Sequence, residues 1–191
     1  MSQTLPVLQV ESTVELIPLL EVYRFLRAGF TQAEVDADYQ NEIVTMLLDA
    51  AIKGTERTLN YDIRERQWLY TITNFSSCVN LPKYPFVSLE TLKYYDVDNT
   101  LQTLSASAYS VQNRTNVRAW IDFDLSLVPD VYDREDAIQI VFKSGNDTLL
   151  GDDRLATLLA VSAFYDDRSN NGKKYPAASE RLLRNHRFNN F

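Results

Sequence analysis

Two closely spaced prolines, Pro82 and Pro85, separate stretches of the chain that have different hydrophobic periods. Each ring fixes φ at about −65° and pushes the residue before it toward extended backbone, so a helix cannot run through this point. From Val87 to Tyr95 the chain is rich in β-branched and aromatic residues, as strands are. Asp96-Val97-Asp98-Asn99 then supplies turn formers, and Leu101 to Leu104 returns as a partner strand. Apolar residues recur at helical spacing before this stretch, alternate after it, and resume helical spacing near Asp152. The expected fold is α+β: a helical bundle (a long N-terminal helix plus C-terminal helices) with an inserted antiparallel β module. Residues 1–62 read as an N-terminal arm and helices, 63–146 as the β module, and 147–191 as C-terminal helices and a tail.

Leu5 to Leu16 alternates loosely and is expected to run extended. Pro18 opens a short helix to Arg27 with Leu19, Val22, Tyr23 and Leu26 on one face, and Gly29 stands where a C′ glycine ends it. Thr31 or Asp36 can cap the next helix, with Glu34 three residues after Thr31 in a capping-box arrangement; that helix is expected to reach about Leu59, with Tyr39, Ile43, Met46, Leu47, Ala50 and Ala51 as its apolar stripe. In the β module, Arg64, Arg66, Trp68, Tyr70 and Ile72 share one strand face. Ser77–Leu81, Leu89–Tyr95, Leu101–Leu104, Tyr109–Gln112, Ala119–Phe123 and Ala137–Lys143 are further strands. Ser144-Gly145-Asn146-Asp147 ends the module, and Asp152 or Asp153 caps a helix apolar on nearly all sides. Ser169 to Gly172 breaks that helix, and Pro176 starts the last one.

Twenty tyrosines and phenylalanines allow a real core and exclude a disordered chain. Apolar runs such as Leu155–Val161 are too short to span a membrane, and the first residues lack the pattern of a secretory signal. One cysteine, Cys78, excludes an internal disulfide framework and reads as a small buried or half-buried side chain. The net charge of −7 argues against nonspecific wrapping by DNA. That charge is uneven: from Arg168 onward six basic residues face one acid, a balance of +5, which leaves −12 for residues 1–167. A basic tail on an acidic body points to an acidic partner, or to a solvated helix end.

No catalytic constellation emerges. Asp122 and Asp124, two apart on a strand, share a face and with Arg118 form the best enzyme alternative. His186 is the single histidine and has no carboxylate or cysteine nearby in sequence, which disfavours a triad or a zinc site. The five glycines are scattered, so no phosphate-cradling loop exists. Arg64 and Arg66 beside Trp68 and Tyr70 are compatible with a platform for stacking single-stranded nucleic acid, or with a face packed on a neighbouring subunit. No cofactor or metal is expected.

An ordered set of short matches runs along the chain. They are Phe25-Leu26-Arg27, the Asp36/Asp38 helix start, Ile43, Leu47, Ala50-Ala51 and Glu56. Leu81-Pro82 with Pro85, Ser88-Leu89, Leu92, Tyr94 and the Asp96/Asp98 turn follow. Tyr109-Ser110-Val111, then Ile138, Ile140, Phe142 and Gly145, and finally Leu158-Leu159-Ala160, Ala163, Tyr165 and Arg168 complete it. In these positions the chain resembles the head–tail connector (head-completion adaptor) proteins of tailed bacteriophages and related gene-transfer particles. It departs in Asn146, where an aromatic is common, in Val117–Asp136 and in the tail after Arg168. The resemblance implies a non-enzymatic virion protein at the neck, present in host cytoplasm during assembly. It further implies a ring, of about twelve copies, under the portal protein, extending the DNA channel and receiving the next neck or tail protein. On this basis Arg181, Arg184, Arg187, Phe188 and Phe191 are expected to dock on the portal, and Arg64, Arg66, Trp68 and Tyr70 to contact a subunit or neck protein. A neck stopper or tail terminator is the nearest alternative.

Overall fold

The computed structural model describes residues 5–26, 31–36, 38, 40–114, 118–149, 151–166, 176–184, 186 and 187. In chain order the elements are β1 (Val7–Glu11), α1 (Leu19–Leu26), α2 (Gln32–Asp36), α3 (Asn41–Leu59), β2 (Arg66–Ile72), β3 (Cys78–Asn80) and β4 (Phe86–Tyr95). They continue with β5 (Leu101–Thr103), β6 (Tyr109–Arg114), β7 (Arg118–Phe123), β8 (Ile138–Ser144), α4 (Gly151–Asp166) and α5 (Ala177–Leu183). The fold is α+β, with five helices and two antiparallel sheets among the described residues. The chain divides into a β unit, residues 1–13 and 64–146, and a helical unit, residues 14–63 and 147–191. The N-terminal arm grouped by sequence with the helices is therefore a strand of the β unit, paired with β2.

In the β unit a five-stranded sheet runs β1-β2-β8-β4-β5, and a three-stranded sheet runs β3-β7-β6. The alternation seen in the sequence is the in/out pattern of β2 and β8, whose residues are buried at every second position. Cross-strand rows follow: Trp68 opposite Phe142, Tyr70 opposite Ile140, and Ile72 opposite Ile138. Leu89, Leu92 and Tyr94 of β4 extend the same rows. These side chains share one hydrophobic cluster with Val79, Ala119, Ile121 and Phe123 of the smaller sheet. Pro82 and Pro85 lie in the bend before β4, and the Tyr84–Pro85 bond is cis. The Asp96 turn forms as expected: its carboxylate accepts from the Asp98 and Thr100 amides, at 3.1 and 2.9 Å, and Asn99 adopts a left-handed φ of 59°.

In the helical unit, α1 buries Val22 and Tyr23 as the sequence predicts. The capping box also forms, with the Thr31 amide donating to Glu34 Oε2 at 2.7 Å. It heads only α2, however, because the chain turns between α2 and α3. The Asp38 carboxylate accepts from the Gln40 amide at 2.8 Å, and Asn41 Nδ2 donates to the Val35 carbonyl at 2.6 Å. Such local bonds compete with a continuous helical ladder. The buried stripe of α3 is Val44, Leu48, Ala51, Ile52, Thr55 and Leu59. Of the expected stripe only Ala51 is buried and Leu47 half-buried, whereas Ile43, Met46 and Ala50 are exposed; the two stripes lie about 120° apart around the helix. Asp152 and Asp153 stand in the first turn of α4, which leaves Leu155 exposed and so is not buried all round. Gly29, Tyr39 and Ser169–Gly172 lie outside the described residues.

Candidate assembly surfaces

The basic tail begins on α5, which starts after Pro176 and seats Leu183 in the helical core. Arg181, Arg184 and Arg187 are exposed; Phe188 and Phe191 lie outside the described residues. His186, just beyond α5, is tied to α4. Its Nδ1 is 2.8 Å from Asp153 Oδ1, and the Tyr61 hydroxyl donates to Asp153 Oδ2 at 3.1 Å. The sequence concealed this carboxylate partner because it lies 33 residues away on another helix. The hydrogen bond to Asp153 and that residue's charge raise the His186 pKa, with a smaller push from Asp152. Burial, with Asp153 beside it, raises the pKa of the Tyr61 hydroxyl, which stays protonated and donates.

The β2 residues expected at a contact face are placed differently. Arg66, Trp68 and Tyr70 are 8%, 8% and 2% exposed, and only Arg64 is partly accessible. Alternation places them on one face correctly, but that face is the interior. Trp68 Nε1 donates to Ser144 Oγ at 2.8 Å, with Lys83 Nζ 4.2 Å above its ring. Arg66 Nε and Nη2 both donate to Glu11 Oε1, at 2.9 and 2.5 Å. A stacking platform needs open ring faces, so these rings do not provide one.

Asp122 and Asp124 do not form a strand pair. β7 ends at Phe123, and Asp124 instead accepts from the Ser126 amide and hydroxyl, at 3.0 and 2.6 Å. Asp122 Oδ2 accepts from Trp120 Nε1 at 3.2 Å. Cys78 is exposed on β3, contrary to its expected burial, because β3 alternates outward at that position. Desolvation and the neighbouring Asp122 hold its thiol pKa up. No group of three or more His, Cys, Asp or Glu able to hold a metal occurs among the described residues. No helix there is long and apolar enough to cross a membrane.

A further surface escaped the sequence reading: β1 is an edge strand with exposed apolar side chains on both faces. Val7, Leu8 and Val10 are 57%, 43% and 58% exposed. A bulge at Gln9 breaks the alternation and brings Val7 and Val10 to the same face, opposite Leu69 and Gln67 of β2.

Comparison with solved structures gives matches over nearly the full length. A chain in the neck of an empty GTA particle computed with C6 symmetry matches with a TM-score of 0.77, covering 98% of this chain and 97% of that one, at 18% identity. This chain shares that fold. A chain in the virion of a native gene transfer agent (GTA) particle matches with a TM-score of 0.75 at 18% identity, over 98% of this chain and 97% of that one. A third, in the neck of a native GTA particle computed with C12 symmetry, gives 0.64 at 18% identity, over 96% and 97%. No protein-family model and no curated protein sequence matches the chain.

Proposed function

We propose that this chain is a head–tail connector of the adaptor type, a non-enzymatic neck protein that forms a ring, of about twelve copies, beneath the portal. The observation that carries this reading is the full-length fold likeness to a chain from a GTA neck, with both the helical unit and the β unit included. The ring would continue the DNA channel and receive the next neck or tail protein. An acidic body, −12 over residues 1–167, suits a channel wall along which the phosphate backbone slides without sticking. The exposed Arg181, Arg184 and Arg187, with the Phe188 and Phe191 that follow, are the proposed portal contact. Burial of Trp68 and Tyr70 leaves Arg64 as the part of the β2 group best placed for a neighbour.

Native mass spectrometry with the portal ring from the same genome tests this. Deleting everything from Arg181 would also remove buried Leu183, so the informative variant is Arg181→Glu/Arg184→Glu/Arg187→Glu. About one copy per portal subunit for the parent chain, lost in the variant, is the expected result. Binding that survives the charge reversal discards the docking residues and keeps the adaptor. Absence of binding by the parent chain moves the protein to a stopper or terminator role, whose partner is another neck protein.

A further inference from the structure

From the two edges of the five-stranded sheet we infer that neighbouring copies of this chain join edge to edge, β1 of one copy against β5 of the next. This deepens the ring reading above and rests on it. An edge strand presents unpaired backbone donors and acceptors, and proteins that stay monomeric protect it with lysine, proline or a covering element. Here Val7–Glu11 contains no lysine or proline, and exposes apolar side chains on both faces. β5 at the other edge, Leu101-Gln102-Thr103, is uncharged and exposed throughout. Neither edge repels the other.

The outward face continues across the proposed junction. Val7 and Leu69 are opposite each other, and Leu69 is opposite Val141, which makes an apolar row over β1, β2 and β8 on the side away from the core. On β5, Leu101 pairs with Tyr95 and Thr103 with Lys93, and Lys93 is opposite the outward-facing Gln139. Leu101 and Thr103 thus share the face of Val7 and Val10. All five strands alternate in direction, so β1 and β5 run the same way. With the ring axis close to the strand direction, the rotation carrying one copy to the next keeps that direction, and the joint is a parallel pair. The two edges are different surfaces, which makes the contact heterologous and able to close into a ring.

The test uses the full chain with Cys78→Ser, carrying Gln9→Cys together with Leu101→Cys, Gln102→Cys or Thr103→Cys in turn, so that register need not be known. Four strand spacings, about 19 Å, separate the edges within one copy, too far for an internal disulfide. Mild oxidation of the assembled ring should give a covalent ladder of multimers with at least one pair. In parallel, Val7→Lys/Val10→Lys should lower ring occupancy by about tenfold while circular dichroism and the thermal midpoint of the monomer stay unchanged. A ring that forms without any cross-link, and assembles equally well with the lysines, overturns the edge joint and leaves the adaptor reading intact. Covalent dimers from Gln9→Cys alone place two β1 edges together and overturn the head-to-tail form. A ladder without portal binding upholds the joint and removes the adaptor.

Discussion

Gly145 packs so closely on Arg64 that a Cβ built on it would stand 1.9 Å from the Arg64 carbonyl oxygen. Its φ of +87° is also one that residues with side chains rarely adopt, and its amide donates to the Pro85 carbonyl at 2.9 Å. The close of β8, the entry to β2 and the proline bend are thereby held in one place. Gly145→Ala meets backbone, which cannot swing aside, so it should cost about 3 kcal/mol or more. A thermal midpoint lowered by roughly 6–12 °C would register this.

The Arg66–Glu11 pair ties β1 to β2 beside a buried guanidinium. Glu11→Ala leaves that charge partly uncompensated and should cost about 2 kcal/mol, less than for a fully buried pair because Glu11 retains some exposure. The exposed Lys53–Asp49 pair on α3 is the control, and Asp49→Ala should change stability by no more than about 0.5 kcal/mol. Urea unfolding of the two variants separates them.

Thr55 and Thr157 meet in the helical core with hydroxyl oxygens 2.9 Å apart. Each hydroxyl has one proton: one of them donates across the pair, and the other donates to the carbonyl one turn back, Ala51 for Thr55 or Asp153 for Thr157. Thr55→Val or Thr157→Val alone strips a partner from a buried hydroxyl and should cost about 1 kcal/mol. The double variant should cost less than the sum, because both polar groups leave together. A double-mutant cycle by chemical denaturation reads the coupling directly.

His186 makes the hold of the α5 end on α4 pH-dependent. Its pKa in the folded chain is raised above the ordinary 6.5 by the hydrogen bond to Asp153 and that residue's charge. A raised folded-state value means the stabilisation is complete below the ordinary value and is lost as pH rises through the folded one. Amides of α5 should exchange faster with rising pH, beyond the intrinsic chemical increase. Asp153→Asn should remove that excess, while exchange in β8 remains unaffected.

Strand existence was legible because in/out alternation is written into β2 and β8 residue by residue, and the Asp96 turn and Thr31 capping box are local chemistry. Which face points inward was not. Arg66, Trp68 and Tyr70 share a face in any reading, but it is the opposing residues of β8 and β7 that make it the interior. The same holds for α3, where two apolar stripes compete and packing against α4 selects Val44, Leu48 and Ala51 over Ile43 and Met46. The pairing of His186 with Asp153, and of Arg66 with Glu11, joins residues 33 and 55 positions apart. No periodicity encodes such partners. Exposure of the β1 edge was hidden for a related reason: alternation in Leu5–Leu16 tells of a strand, not of its position in the sheet.

The division of the chain into two interleaved units has a consequence for its synthesis. Glu11 meets its partner 55 residues later, and Thr55 meets Thr157 after 102. At the ribosomal pace of about 5–20 residues per second, β1 waits roughly 3–11 s for β2, and α3 keeps its apolar stripe uncovered for roughly 5–20 s until α4 emerges. The whole of residues 64–146 is translated during that second interval. Elongation speed through the β segment therefore sets how long the nascent helical unit stays open to chaperones and to other chains.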